Sequence, residues 1–151
     1  MKDVGQLIRT KVYDRLFGVL EYNSQAIPVY DSAGVPANAT HPYVLLSTFN
    51  ATELLEGSKQ SYGQELSLLI EVCMKFDNSF GGKLICDDIS NQITELIRTR
   101  QDGYLDLSPD WYIIRTLLES TNSIDQQVST GVLTRRLIRF TFKIQQGIWA
   151  Y

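Results

Sequence analysis

The sequence is short of the residue types on which most enzyme chemistry depends. It holds a single histidine and two cysteines in 151 residues. Both Ser/His/Asp and Cys/His nucleophile pairs need a histidine, so any such site would have to be built on His41. This residue precedes Pro42 in a stretch rich in turn-forming residues, which favours a structural or solvated role.

The cysteines exclude two further classes of protein. Cys73 and Cys86 have neither CxxC spacing nor the partner histidines of a zinc site. They are too few for a secreted disulfide framework, and the start MKDVGQLIRT lacks the apolar segment of a signal peptide. We therefore expect the chain to be synthesised in a reducing cytosol and the two thiols to act as small apolar core residues. We also expect no metal or other cofactor.

Long apolar runs and an excess of positive charge are also missing. No apolar run approaches the roughly 18 residues of a membrane-spanning helix, so we expect no membrane contact. The 14 basic and 17 acidic residues leave a net charge of −3, which gives no support for DNA binding. With 44% hydrophobic residues, the chain is long enough for one globular domain, residues 1–151, without disulfides or metal.

The hydrophobic pattern predicts two helices and four or five strands. Apolar residues recur at steps of three and four in 2–20 and 84–100, which is typical of amphipathic helices. Strands are predicted at 43–50, 65–76, 111–119 and 132–145, with a weaker edge strand at 25–30 that Pro28 interrupts. This order predicts an α+β fold in which an antiparallel sheet of four to five strands packs two helices on one face.

Two connections between consecutive strands are longer than a hairpin needs. The stretches ATELLEGSKQSYGQ and ESTNSIDQQVSTG exceed the roughly 2–5 residues of an efficient hairpin loop. We expect each to form a long hairpin arm that is partly strand itself and that contacts a neighbouring subunit. The leucines of the first arm have the alternative of folding back onto their own domain. The candidate subunit contacts are Leu54, Leu55, Tyr62, Ile124 and Val128.

The basic stretch TRRLIRFTFK divides its residues between two faces of a strand. Arg135 and Arg139 are at odd positions and share one face of the strand, whereas Phe140 and Phe142 are at even positions and share the other face. This separation disfavours a nucleic-acid surface, in which exposed rings alternate with charges. We expect both arginines to pair across strands with Glu65 or Glu71, or to make charge contacts with a second subunit.

Two other groups of residues leave alternatives open. The C-terminal GIWAY offers Trp149 and Tyr151 for docking on another protein, and packing on the chain's own core is the alternative. Asp87 and Asp88 are adjacent on the second predicted helix and point about 100° apart, so they do not converge on one ion. We expect them in the first turn, near the positive end of the helix dipole.

A family resemblance adds to this interpretation. The order of a first helix, HPYVLLSTF, a polar arm, ELSLLIEVCMKF, DNSFGGKLICDDISNQITELI and a last strand TRRLIRFTFKIQ resembles the tail-terminator or tail-completion proteins of tailed bacteriophages. The resemblance spans residues 4–146, although SPDWYIIRTLLES carries no signature of that family.

The resemblance implies a structural protein without catalysis. Such a subunit would form a hexameric or dodecameric ring at the neck or the head-proximal end of the tail, as a terminator, completion protein or head–tail connector. It would assemble in the host bacterial cytoplasm, join portal or neck proteins to tail proteins in the virion, and let DNA pass through its lumen without specific binding. The alternatives are a monomeric α+β protein-binding module and, less favoured, a small hydrolase that uses His41, Asp87 or Asp88.

Overall fold

The computed structural model describes residues 4–31, 34–54, 62–76, 82–128 and 131–146. Two α-helices, α1 (Gly5–Leu16) and α2 (Gly82–Ile97), and a short 3-10 turn at Gln101–Gly103 lie among seven strands. The strands are β1 (Glu21–Tyr22), β2 (Gln25–Ala26), β3 (Val29–Asp31), β4 (Tyr43–Leu54), β5 (Gly63–Phe76), β6 (Trp111–Val128) and β7 (Gly131–Gln146).

The main sheet has five strands in the order β3-β4-β5-β7-β6. Every neighbouring pair is antiparallel except β3 and β4, which run parallel. Strands β1 and β2 form a separate small hairpin. The predicted α+β class with a mainly antiparallel sheet is confirmed, and the strand that follows Pro28 does lie at a sheet edge.

The core lies between the two helices and one face of the sheet. Because successive side chains of a strand alternate between faces, β5 and β7 each present a continuous apolar row to the helices. The fully buried members of these rows are Leu66, Leu68, Ile70, Val72, Ile138, Phe140, Phe142 and Ile144. The helices bury their own apolar stripes against them, through Ile8, Val12 and Leu16 of α1 and Ile89, Ile93 and Ile97 of α2.

Both long hairpins contain more strand than the sequence suggested. Strand β4 continues to Leu54, and β6 continues to Val128, well beyond the predicted end at residue 119. Polar and β-branched residues such as Thr121 and Ile124 fit an exposed strand, but they carry no apolar alternation that would reveal one. Residues 55–61 of the first arm lie outside the described residues.

The helix ends differ from the predicted ones. Helix α1 ends at Leu16, because Phe17 takes an extended backbone (ψ 127°) and Gly18 follows with φ +79°. Helix α2 begins at Gly82, so Asp87 and Asp88 lie beyond its first turn, and their expected place at the positive helix end was wrong.

A bulge in β4 positions helix α1. The register of β4 against β5 shifts between Leu46 and Phe49, which turns the Phe49 ring towards α1. The Arg9 side chain of α1 donates to the carbonyls of Leu46 (3.1 Å) and Ser47 (3.2 Å) and pairs with Asp31. Gly5 permits this approach, since a Cβ there would lie 2.3 Å from Cζ of Phe49.

Candidate interaction surface

The face of the sheet opposite the helices, here called the outer face, carries charged and polar side chains interspersed with leucines. The described helices pack against the other face, and the outer face carries the alternate side chains of β4, β5, β7 and β6. Its charged members are Glu65, Glu71, Lys75, Arg115, Glu119, Arg135, Arg139 and Lys143. A cleft of about 600 Å³ on this face is lined by Ser67, Glu119, Arg139 and Thr141, among others.

The two predicted charge contacts occupy this outer face. Arg139 donates to Oγ of Ser67 at 2.7 Å, and neither arginine forms the expected ion pair with Glu65 or Glu71. That expectation was wrong because the register sets Arg139 opposite Leu69, and Arg135, which is exposed, opposite Cys73. A role of these arginines between subunits stays a prediction.

Strand β6 is the last strand of the sheet, and its outer side forms a long open edge. Its register shifts at 113–115 and at 118–120, so both bulges fall in its first half. From Ser120 to Val128 the pairing with β7 is regular; we call this segment the open half of β6. Within the described residues no strand pairs with its other side. All of its side chains are exposed except those of Thr121 and Val128, which are half-buried.

Polar contacts hold the open half of β6 against α2. Nζ of Lys83 lies 2.8 Å from Oδ2 of Asp125, which also accepts a hydrogen bond from Thr134 through Oδ1 (3.1 Å). The hydrogen bond between them raises the pKa of Lys83 and lowers that of Asp125. Both side chains are solvent-accessible, so this ion pair is a weak attachment.

Arg136 makes the second attachment, from the helix-facing side of β7. Its Nη1 donates to Oγ of Ser123 at 3.0 Å and lies 3.5 Å from Oδ1 of Asp87 on α2. Its Nη2 donates to Oγ1 of Thr121 at 3.3 Å. One guanidinium therefore ties the open half of β6 to the helix layer through hydroxyl groups, where an apolar contact would be expected in a packed core.

A second open edge lies on the other side of the same sheet. Strand β3 covers only Val44–Leu46 of β4. Beyond the bulge, Phe49–Leu54 pairs regularly with β5 and has no partner strand on its other side within the described residues; we call this segment the open half of β4. Its four central side chains, Asn50 to Glu53, are exposed.

The predicted contact residues form two separate groups, one near the β4–β5 connection and one near the β6–β7 connection. Leu54 is half-buried against Gly63, where a Cβ would lie 3.1 Å from Cδ1 of Leu54. Tyr62 is 40% exposed, and its carbonyl accepts a hydrogen bond from Gln146 N at 2.7 Å. Ile124 is 49% exposed, at the opposite end of the strands. The chain therefore does not bring its two groups of candidate residues together within one copy.

Leu55, Trp149 and Tyr151 lie outside the described residues. Val128 is half-buried and lines a cavity of about 370 Å³ together with His41. The sequence did not predict the open half of β4, because this edge depends on where β3 ends and on the β4 bulge, and neither has a clear sequence signal.

The hydrolase alternative finds no support in the geometry. The His41 ring lies 5.1 Å from that of Tyr43, and burial together with nearby Lys75 lowers the pKa of the histidine. Asp87 and Asp88 lie on α2, across the sheet from Lys75, and Asp88 accepts a hydrogen bond from Gln92 Nε2 at 3.0 Å. Among the described residues no three His, Cys, Asp or Glu side chains gather as metal ligands.

The described part of the chain also has no helix with the length and apolar character needed to cross a bilayer.

Burial raises the pKa of both cysteine thiols, to about 11 for Cys86, and each side chain is only 2% exposed. Both are free and buried, as the sequence suggested.

A similar fold is found in a chain of a solved virion structure. No protein-family profile and no curated protein sequence matches this chain. Among solved structures, a chain described as "Virion of native gene transfer agent (GTA) particle" superposes with a TM-score of 0.70 at 17% sequence identity. The match covers 97% of this chain and 100% of the other, so the two chains share a fold over nearly their whole lengths.

Proposed function

We propose that this chain is a structural, non-catalytic subunit of a phage-type virion that forms a ring in the neck or tail. The observation that carries the proposal is the shared fold with a chain of a gene transfer agent virion, over 97% of this chain. The independent resemblance of its sequence elements to tail-terminator and tail-completion proteins points the same way.

The open edges of the sheet supply what a ring requires. A ring of identical subunits needs a heterologous interface, in which two different surfaces of each copy meet and the rotation closes. The open halves of β6 and β4 are two such surfaces, at opposite sides of one sheet. Isolated proteins normally protect their strand edges, so two exposed edges on one domain favour assembly.

The rest of the proposal concerns partners and place. The ring is hexameric or dodecameric and joins portal or neck proteins to tail proteins. It assembles in the host cytoplasm and becomes part of the virion. Terminator, completion protein and head–tail connector remain the specific alternatives. DNA would cross the lumen without specific binding; in support, the chain has 17 acidic against 14 basic residues and a net charge of −3.

The test is the mass of the purified chain by light scattering, combined with negative-stain imaging. We expect rings of uniform diameter, alone or after addition of the portal or tail partner. Replacement of Leu54 and Leu55 together by Ser should weaken assembly and leave the circular dichroism spectrum unchanged. A chain that stays monomeric at high concentration, with and without both partners, would contradict the proposal.

One observation favours a second candidate, a monomeric protein-binding module. A groove of about 500 Å³ between α1 and β4 is lined by Gly5, Arg9, Tyr13 and Phe49, among others. Arg9 lies 6.0 Å from the centre of the Phe49 ring and pairs with Asp31, which also lines the groove, so the groove combines an aromatic surface with an ion pair. This candidate predicts a monomer that binds its partner with unit stoichiometry, which the same mass measurement would detect.

A further inference from the structure

We propose that neighbouring copies join edge to edge, with the open half of β6 of one copy paired antiparallel to the open half of β4 of the next, displaced along the strands. This inference rests on the proposed ring and identifies its interface. The partner is a second copy of the same chain, and the bonds are main-chain hydrogen bonds that extend one sheet into the next.

Strand direction makes this pairing antiparallel. Strand β6 runs antiparallel to β7, β7 to β5, and β5 to β4, so β6 and β4 run in opposite directions. In a ring each copy keeps the same orientation relative to the axis. A neighbour's β4 therefore meets β6 in the antiparallel sense, which is the more favourable pairing for two short segments.

Each edge has only one segment that can accept a regular ladder. On β4 the lower segment Val44–Leu46 is already occupied by β3, and Phe49–Leu54 is open. On β6 the bulges at 113–115 and 118–120 disturb the first half and leave Ser120–Val128 regular. Pairing Phe49–Leu54 with residues 120–125 matches the two regular segments and sets Asn50 opposite Ile124. Residues 126–128 then extend beyond the open half of β4 and lie beside β3 of that copy.

These two residues lie at different heights on the sheet. Within one copy, Asn50 shares a row with Ser67, Thr141 and Leu117, whereas Ile124 shares a row with Arg135. The two rows are residues 141 and 135 of β7, six residues apart, which is about 20 Å along a strand. Each copy must therefore be displaced by about 20 Å along the strands relative to its neighbour.

This displacement is compatible with a closed ring. The contact joins β6 directly to β4, so each copy adds four strands, about 19 Å, to the joined sheet, and a shift of about 20 Å per copy tilts the strands about 45° from the ring axis. Closed barrels have tilts of about 35–45°. Shift and width grow together with the number of copies, so the tilt is the same for six subunits as for twelve.

Cysteine cross-linking tests the interface directly. In the double variant Asn50→Cys with Ile124→Cys, the two thiols of one copy lie at opposite edges of the sheet, too far apart for an internal disulfide. Under mild oxidation, at a concentration where the chain forms rings, we expect a ladder of disulfide-linked species that dithiothreitol collapses to monomer. Native Cys73 and Cys86 are each 2% exposed, and the unmodified chain measures their background.

The matched control is Asn50→Cys with Leu117→Cys, which occupy one row and would link only if copies met without displacement. We expect this variant to stay monomeric on a non-reducing gel. The pair Thr52→Cys with Ile124→Cys detects a register displaced by two residues, and a ladder there also supports edge pairing. Thermal unfolding of each variant confirms that it folds.

The outcomes separate the interface from the function. Rings that give no ladder with either displaced pair, or a ladder only with the control pair, would overturn the interface and leave the ring intact. An absence of rings with and without the portal and tail partners, together with no ladder from any variant, would overturn both the interface and the proposed function.

Discussion

Strand β7 and the open half of β6 belong to one hairpin, yet they differ in how much they contribute to the stability of the fold. Strand β7 is paired on both sides, with β5 and with β6, and its residues Ile138, Phe140, Phe142 and Ile144 are fully buried. The open half of β6 is paired on one side and exposes nearly every side chain. Burial of apolar surface is the main stabilising term in folding, so β7 stabilises the fold and the open half adds little to it.

The difference shows how a strand can be kept for contact with another molecule. An exposed, one-sided strand loses conformational entropy on ordering and gains little burial in return. Its attachment to the domain is polar, through Asp125 and through the Arg136 guanidinium. Such a segment becomes fully stabilised only when its free edge is paired, which is what a neighbouring subunit would provide.

The largest expected effect comes from a core truncation in β7. Phe140→Ala should lower the free energy of unfolding by about 3–5 kcal/mol, because Phe140 is fully buried between the sheet and the helices. Ile124→Ala is the matched truncation in the open half of β6 and should change monomer stability by no more than about 0.5 kcal/mol. Urea titration of both variants measures this. Similar losses would break the comparison.

Unlike the open half of β6, the open half of β4 packs closely against a helix, through the contact of Phe49 with Gly5 of α1. Gly5→Ala should destabilise the chain by about 1–3 kcal/mol, because the added methyl would lie 2.3 Å from Cζ of Phe49. Gly34→Ala is the control, since its nearest neighbour would be 3.8 Å away. Thermal unfolding of both variants tests this, and Phe49→Leu should restore part of the loss in Gly5→Ala. An unchanged melting temperature for Gly5→Ala would contradict close packing of α1 on β4.

Removal of the guanidinium that holds the open half of β6 should act locally. Arg136→Gln loses contacts with Ser123, Thr121 and Asp87, for about 1 kcal/mol, discounted because the side chain is 27% exposed. Amide hydrogen exchange should accelerate in 120–128 and stay constant in β5. Arg135→Gln, on the opposite face, should leave both regions unchanged. Equal acceleration in β5 would show that Arg136 supports the whole sheet.

The smallest effect concerns pH and the Lys83–Asp125 pair. The hydrogen bond from Lys83 lowers the pKa of Asp125 in the folded chain, so the unfolded chain binds the proton more readily. The contribution of this carboxylate is therefore present above the ordinary aspartate pKa and is lost as the pH falls through the lowered value. Thermal unfolding between pH ~5 and ~2 should show a shallower loss for Asp125→Asn than for the original chain. Parallel curves would mean that the pair contributes nothing.

The sequence was sufficient for whatever depends on buried periodicity. Alternation of apolar residues in 65–76 and 132–145 predicted two strands and their core face, and Phe140 and Phe142 lie where it placed them. The second half of β6 was predicted only as an arm, because polar residues such as Asn122 and Gln126 give no period-two signal. The attachment through Arg136 depends on register, and bulges set register without a sequence mark.

The most direct test of the central claim is amide hydrogen exchange of the chain as a dilute monomer and as the assembled ring. Strand β7 should be protected in both states. The amides of residues 120–125 and 49–54 that point away from their own sheet should exchange quickly in the monomer and become protected in the ring. Rings in which these amides exchange as fast as in the monomer would contradict the claim that the two open half-strands are the subunit contact.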